Sequence, residues 1–148
     1  MKVLVVNGPN INMLGVREPG IYGDRSFEDL LGFIREAAEG LAIEPVFFQS
    51  NSEGAIIDAI QGAYGKFDGI VINPAAYAHT SIAIPDALKA VGIPAVEVHL
   101  TDIREREDYR HTSYTSGACI WTISGMGFEG YRTALAALAD ALIGTGQT

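Results

Sequence analysis

Two residues two apart, Glu97 and His99, open the question of chemistry. Within an extended strand, side chains at i and i+2 leave on the same face. A carboxylate beside an imidazole fixes the ring's tautomer, raises its proton affinity and stabilises its charged form. His99 is therefore a candidate general acid, although two polar residues at an exposed strand end would show the same spacing. A second feature is Arg17-Glu18-Pro19-Gly20-Ile21-Tyr22-Gly23. Its Pro and Gly suit a loop that closes over a site and reopens. Arginine charge beside a phenol favours the phenolate, and lowering Tyr22 from about 10 to about 8 takes roughly 2.7 kcal/mol of differential interaction. Surface packing of Tyr22, with Arg17 paired to a carboxylate, is the structural alternative.

Asn10 and Asn73 form a third pair, since amides fixed at strand ends can hold a water or donate to an oxyanion. Asparagine also dominates turns, and Asn7-Gly8-Pro9 has that character. His79-Thr80-Ser81 reads as a helix start, where free N–H groups favour anions. Ser81 has the residue type of an N-cap, whereas His79 has no evident structural task. Arg104, Arg106 and Arg110 supply a basic stretch with Arg106 and Arg110 one helical turn apart. It could receive a carboxylate, or be a solvated face whose charge Glu105, Glu107 and Asp108 cancel.

The elements that position these residues follow from patterning. Short β-branched runs occupy 3–6, 46–48, 69–72, 95–98 and 119–123. They are continuous rather than alternating, as expected of parallel strands buried on both faces. Between them lie helical stripes: Phe27, Leu30, Leu31, Ile34, Ala38 and Leu41; Ile56, Ile57, Ile60 and Tyr64; Leu88 and Val91; then Leu135, Leu138 and Leu142. Ser26, Ser52 and Ser81 mark helix starts. The alternation predicts an α/β, flavodoxin-like open five-stranded parallel sheet, order 2-1-3-4-5, with helices on both faces. One domain is expected over residues 1–148, with 144–148 as a frayed tail. Ligands of such folds bind beyond the carboxyl ends of the strands, where the amides and histidines gather.

Composition narrows the classes. The chain has 148 residues, 48% of them hydrophobic, with a mean hydropathy of +0.18, so wholesale disorder is excluded. A formal net charge of −8 argues against nucleic acid or an anionic membrane as the main partner, while a local arginine cluster still permits a small anionic substrate. No glycine-rich nucleotide loop follows a strand. A flavin module lacks its Ser/Thr-rich phosphate loop. A phosphoacceptor domain would need carboxylates where the chain has Asn7 and Asn73. A metal triad of His79, Glu97 and His99 lacks a fourth ligand and helical His spacing. Cys119 stands alone in an apolar run and reads as a small buried hydrophobe; Tyr77 and Trp121 read as packing residues. Lys2, Lys66 and Lys89 fall outside the polar edge, against Schiff-base chemistry. The opening apolar run stops after four residues, short of a signal peptide's ~7–15, and no run reaches the ~18 of a membrane span. A cytoplasmic protein is expected.

Taken in order, the segments 7–15, 17–23, 49–54, 72–81, 97–101, 106–114 and 125–131 resemble those of the type II 3-dehydroquinases across nearly the whole chain. The resemblance implies a lyase that removes water in trans fashion from 3-dehydroquinate through an enolate, giving 3-dehydroshikimate. It implies Tyr22 as base, Arg17 as the charge that keeps it ionised, and Asn10 as holder of a water at the enolate oxygen. It implies His99 as acid oriented by Glu97, and Asn73, His79, Leu100, Thr101 and Arg110 as substrate-binding residues. Arg106 would support the lid, and Asp86 would reach the site of an adjacent subunit in a dodecamer of trimers. No metal or cofactor is implied. The chain departs from the common family pattern at Pro85 (often Arg), Ala78, Thr101, Asp102 and Thr112. An inactive or substrate-shifted relative acting on a related cyclic hydroxy-acid is the alternative.

Overall fold

The computed structural model describes residues 1–16, 20 and 24–146. Five strands, β1 (Lys2–Asn7), β2 (Glu44–Gln49), β3 (Gly69–Asn73), β4 (Ala95–His99) and β5 (Trp121–Ser124), form one sheet. Its order is β2-β1-β3-β4-β5 and every pairing is parallel, as the sequence pattern predicts. Among the described residues four α-helices cover it: α1 (Phe27–Glu39), α2 (Glu53–Gly62), α3 (Ala83–Val91) and α4 (Glu129–Gly146).

Alternation within each strand feeds two cores. Val3, Val5, Val71, Val96 and Val98 pack with Leu30 and Ile34 of α1 and Leu135 and Leu138 of α4. On the other face Leu4, Val6, Ile70, Ile72 and Ala95 pack with Ile56 and Ile60 of α2 and Ile84 and Leu88 of α3. Each of the buried Val, Leu and Ile side chains contributes roughly 1.5–3 kcal/mol of burial. Pro45 is accommodated because β2 is an edge strand.

The serine caps hold the helix starts. Ser26 and Asp29 form a reciprocal capping box on α1. Ser52 Oγ accepts from Ala55 N–H at 3.2 Å; on α3 the N-cap is Ile82 rather than Ser81, which sits one residue earlier and accepts from Ile84 N–H at 3.1 Å. Pro85 sits in the first turn of α3, where a missing N–H costs no helical bond.

Several boundaries differ from expectation. Leu41 and Tyr64 lie beyond the ends of α1 and α2, and Tyr64 is exposed. The fifth strand starts at Trp121, because 115–118 forms a 3-10 turn before the chain joins the sheet edge. Trp121 is 62% exposed on that edge rather than packed. The 104–110 stretch is not one helix but two 3-10 turns, Ile103–Glu105 and Asp108–Arg110. Helix α4 continues to Gly146, so the backbone of 144–146, expected as a tail, is helical.

Candidate active site

The carboxyl ends of the two central strands are joined through a buried hydroxyl. Asn7 and Asn73 are register partners on β1 and β3. Tyr131 of α4, fully buried, donates to Asn7 Oδ1 at 2.7 Å and accepts from Asn73 Nδ2 at 3.0 Å. Burial pushes the Tyr131 phenol above its ordinary range, so it acts as a neutral hydrogen-bonding group. Asn73 Oδ1 in turn accepts from Ala75 N–H, and Asn73 C=O accepts from Gly8 N–H. Gly8 has no room for a side chain: a Cβ there would lie 2.6 Å from the Pro74 carbonyl oxygen.

These contacts aim two loops at one cleft. From the first comes Asn10, in the left-handed region at φ 71°, its N–H donated to Asn51 Oδ1. From the second come Ala75, Ala76 and His79. The rest of the lining is His99, Thr101, Ile103, Arg106 and Arg110, with Pro9 and Ile11 beside Asn10.

The centre of the cleft is His99, whose Nε2 meets Glu97 Oε2. Both are buried. Ser113 Oγ donates to Glu97 Oε2 at 2.6 Å; Ser116 Oγ and Thr122 Oγ1 donate to Oε1 at 2.7 and 3.3 Å. Burial alone would push the Glu97 carboxyl up. The hydrogen bond and charge of His99, with the two serines, outweigh it and hold the carboxyl below the ordinary value. Glu97 is therefore an anion at neutral pH, the shared hydrogen belongs to His99 Nε2, and Nδ1 is the nitrogen left for exchange with the cleft.

A second imidazole lies beside the first. The His79 and His99 rings are stacked, 6.2 Å between centroids. His79 Nδ1–H donates to the Thr112 carbonyl at 2.7 Å. Burial lowers its proton affinity, with the backbone bond opposing, so His79 is neutral and its Nε2 is an acceptor. Thr112 thus serves through its backbone, whatever its side chain.

Positive charge comes from Arg106 and Arg110. Glu107 bridges them, 2.8 Å from Arg110 Nε and 3.7 Å from Arg106 Nε, and so offsets part of their charge. Arg106 also donates to Thr101 Oγ1 at 3.4 Å. Asp102, one of the departures from the family pattern, caps its own turn and pairs with Arg104.

The remaining expected residues lie elsewhere. Asn73 is buried behind the cleft with its amide held by Tyr131 and Ala75. Leu100 packs its side chain in the α1/α4 core. Asp86 is exposed on α3, away from the lining. Arg17 and Tyr22 lie outside the described residues. Among the described residues no group of three or more His, Cys, Asp and Glu side chains is placed to hold a metal ion. Cys119 is half-buried, and its thiol is pushed up to about 12 by burial and by the Glu97 charge, so it is no nucleophile.

Ser113, Ser116, Thr122 and Tyr131 were not among the expected site residues. Only the i, i+3 spacing of the two serines hinted at a shared direction, and nothing in the sequence tied either to a glutamate 16 or 19 residues away.

Known proteins resemble this chain over most of its length. The 3-dehydroquinate dehydratase of Clostridium acetobutylicum is 54% identical over 142 residues, covering 96% of this chain and 99% of that one. That of Carboxydothermus hydrogenoformans is 53% identical over 142 residues, covering 96% and 92%. The crystal structure of the type II dehydroquinase from Butyrivibrio crossotus superposes with a TM-score of 0.91 at 51% identity, covering 93% of this chain and 97% of that one. The type II dehydroquinase from Propionibacterium acnes gives 0.90 at 41% identity, covering 94% and 96%. The family model for dehydroquinase class II matches residues 1–139, and with it the sheet, the cleft and the strand ends that build it: the chain belongs to the class II dehydroquinases.

Proposed function

We propose that this chain is a 3-dehydroquinate dehydratase, a hydro-lyase of the shikimate pathway, working as a single catalytic domain without metal or cofactor. The observation that carries the reading is the His99–Glu97 pair, an imidazole on a buried anion, in a cleft that also offers Arg106 and Arg110 to a carboxylate.

In this reading the phenolate of Tyr22 takes the proton from the carbon beside the ketone, and the electron pair passes to the carbonyl oxygen as an enolate. Arg17 keeps the phenol ionised, and a water held by Asn10 stabilises the enolate oxygen. The enolate collapses, the C–O bond to the β-hydroxyl breaks, and His99 supplies the proton that lets it leave as water. The products are a conjugated enone and water. Solvent returns the proton from Tyr22 to His99. Arg110, Thr101 and the backbone at Leu100 receive the carboxylate, while His79 Nε2 and the Asn73 loop take ring hydroxyls. Arg106 supports the lid.

Assembly belongs to the same reading. Asp86 would complete the site of an adjacent subunit within a dodecamer of trimers. Ile82 beside it is 63% exposed, and Ile120 and Trp121 on the sheet edge are also exposed, surfaces that suit burial against other copies. A cytoplasmic location fits as well; among the described residues no helix is long and apolar enough to cross a membrane.

The test is turnover of 3-dehydroquinate by Tyr22→Phe, with folding and assembly checked. The reading expects turnover to vanish and both to persist. Near-normal turnover would remove Tyr22 from its role, and a parent protein that turns over only another cyclic hydroxy-acid would establish the substrate-shifted alternative.

A further inference from the structure

We infer that Ser113 and Ser116 are positioning residues of the acid: their hydroxyls fix Glu97 as an anion aimed at His99, so that the proton of the pair stays on the imidazole. The inference rests on the reading of His99 as the acid.

A carboxylate offers about four acceptor sites on its two oxygens. Three are filled, by His99 and Ser113 on Oε2 and by Ser116 on Oε1, and the single proton of Thr122 is shared between Oε1 at 3.3 Å and Ser116 Oγ. The two serine distances, 2.6 and 2.7 Å, are those of charge-assisted O–H···O⁻ bonds. Thr122 also donates to Ser116 Oγ at 3.1 Å, which leaves the Ser116 proton directed at Glu97. The hydroxyls flank a packed turn. Thr115, between them, is fully buried, and the 3-10 turn Thr115–Ala118 packs on α3.

The same segment carries Arg110 and the Thr112 carbonyl that orients His79. One stretch of chain thus sets the carboxylate receptor, the neutral imidazole and the anion behind the acid. Without the serine protons, Glu97 would keep its burial and lose two donors, and its carboxylate would compete with His99 for the shared proton. The titratable groups facing the pair are few. Cys119 near the start of β5 is a neutral thiol, and His79 is the neutral ring stacked on His99, with Arg110 beyond it. The β3 partner of Glu97 is Ile72, which brings no charge.

The experiment uses Ser113→Ala, Ser116→Ala, the double variant and Ser113→Thr, with 3-dehydroquinate as substrate. Two readouts are taken: the pH profile of kcat with KM, and the nitrogen NMR signals of His99 across pH in the substrate-free protein. Each alanine variant is expected to lose roughly tenfold in kcat with KM within about twofold. The pH at which Glu97 protonation perturbs the His99 signals should move up, because a Glu97 with fewer donors takes a proton at higher pH, while the acidic limb of kcat, set by Tyr22, stays in place. Ser113→Thr should bring the His99 signals back. Unmoved His99 signals in a folded alanine variant would overturn the inference, as would a loss confined to KM. Ser113 is only half-buried, so Ser113→Ala alone decides the matter if the double variant does not fold. His99→Gln is measured alongside. Full turnover in that variant would refute the acid assignment itself, whereas its inactivity with unaltered serine variants refutes the serine role alone.

Discussion

Replacing Glu97 by Gln keeps the shape of the side chain and removes the charge that four donors address. One oxygen becomes an NH2 group. The serine and threonine hydroxyls can rotate and accept from it; His99 Nε2–H can do so only by moving its hydrogen to Nδ1. The variant can therefore keep its oxygen on His99 and turn its NH2 to the Ser116 and Thr122 hydroxyls, but the anion that stabilises a charged His99 is gone. Hydrogen bonds to a charged group are worth about 1.5–3 kcal/mol each, and breaking a buried pair costs up to about 3–5 kcal/mol. Partial repair by the rotating hydroxyls places the expected stability loss at about 1–3 kcal/mol at pH 7. General acid catalysis contributes ~10²–10⁴-fold, so turnover should fall by at least ~100-fold. The pH dependence has a definite sign. The Glu97 carboxyl in the folded protein sits below the ordinary 4.5. Its contribution is present in full above that value and is lost as pH falls through the lower folded value. Urea unfolding of parent and variant at pH 7 and in the acidic range measures this: the gap should be wide at pH 7 and narrow in acid. A Glu97→Gln protein as stable and active as the parent at pH 7 would refute the reasoning.

Other expectations follow from the strand-end network and the arginines. Tyr131→Phe leaves Asn7 Oδ1 and Asn73 Nδ2 buried without the shared hydroxyl, and should cost about 1–3 kcal/mol in thermal or urea unfolding. Gly8→Ala forces a methyl to within 2.6 Å of the Pro74 carbonyl and should cost about 1–3 kcal/mol, with loss of substrate affinity because both cleft loops meet there; fluorescence-monitored unfolding and KM check it. Arg110→Ala should raise KM at least tenfold with a smaller effect on kcat, since Glu107 already offsets part of that charge; steady-state kinetics separates the two.

The fold was legible because its signals are local and repeated. Runs such as 69–72 are apolar throughout, as a strand covered on both faces must be, and Ser26 and Ser52 lie where hydroxyls are needed for orphan N–H groups. Residues at element ends were less legible. The spacing of Tyr64 continues the stripe of α2, yet the chain turns at Gly62 and the ring stays in solvent. The helical spacing of Arg106 and Arg110 arose from two short 3-10 turns. Glu97 and His99 could be paired because the strand period puts them on one face. The serines that complete Glu97 could not, because they arrive by tertiary folding from a segment without periodicity. Asn73 shows the opposite limit: its type suggested a role toward ligand, while its amide is turned inward to Tyr131, a partner 58 residues away.

The most direct measurement is the growth of enone absorbance when the purified chain is mixed with 3-dehydroquinate, run beside His99→Gln. The account predicts steady formation of the conjugated product by the parent and almost none by the variant. No absorbance change with the parent, or equal rates in both proteins, would contradict it.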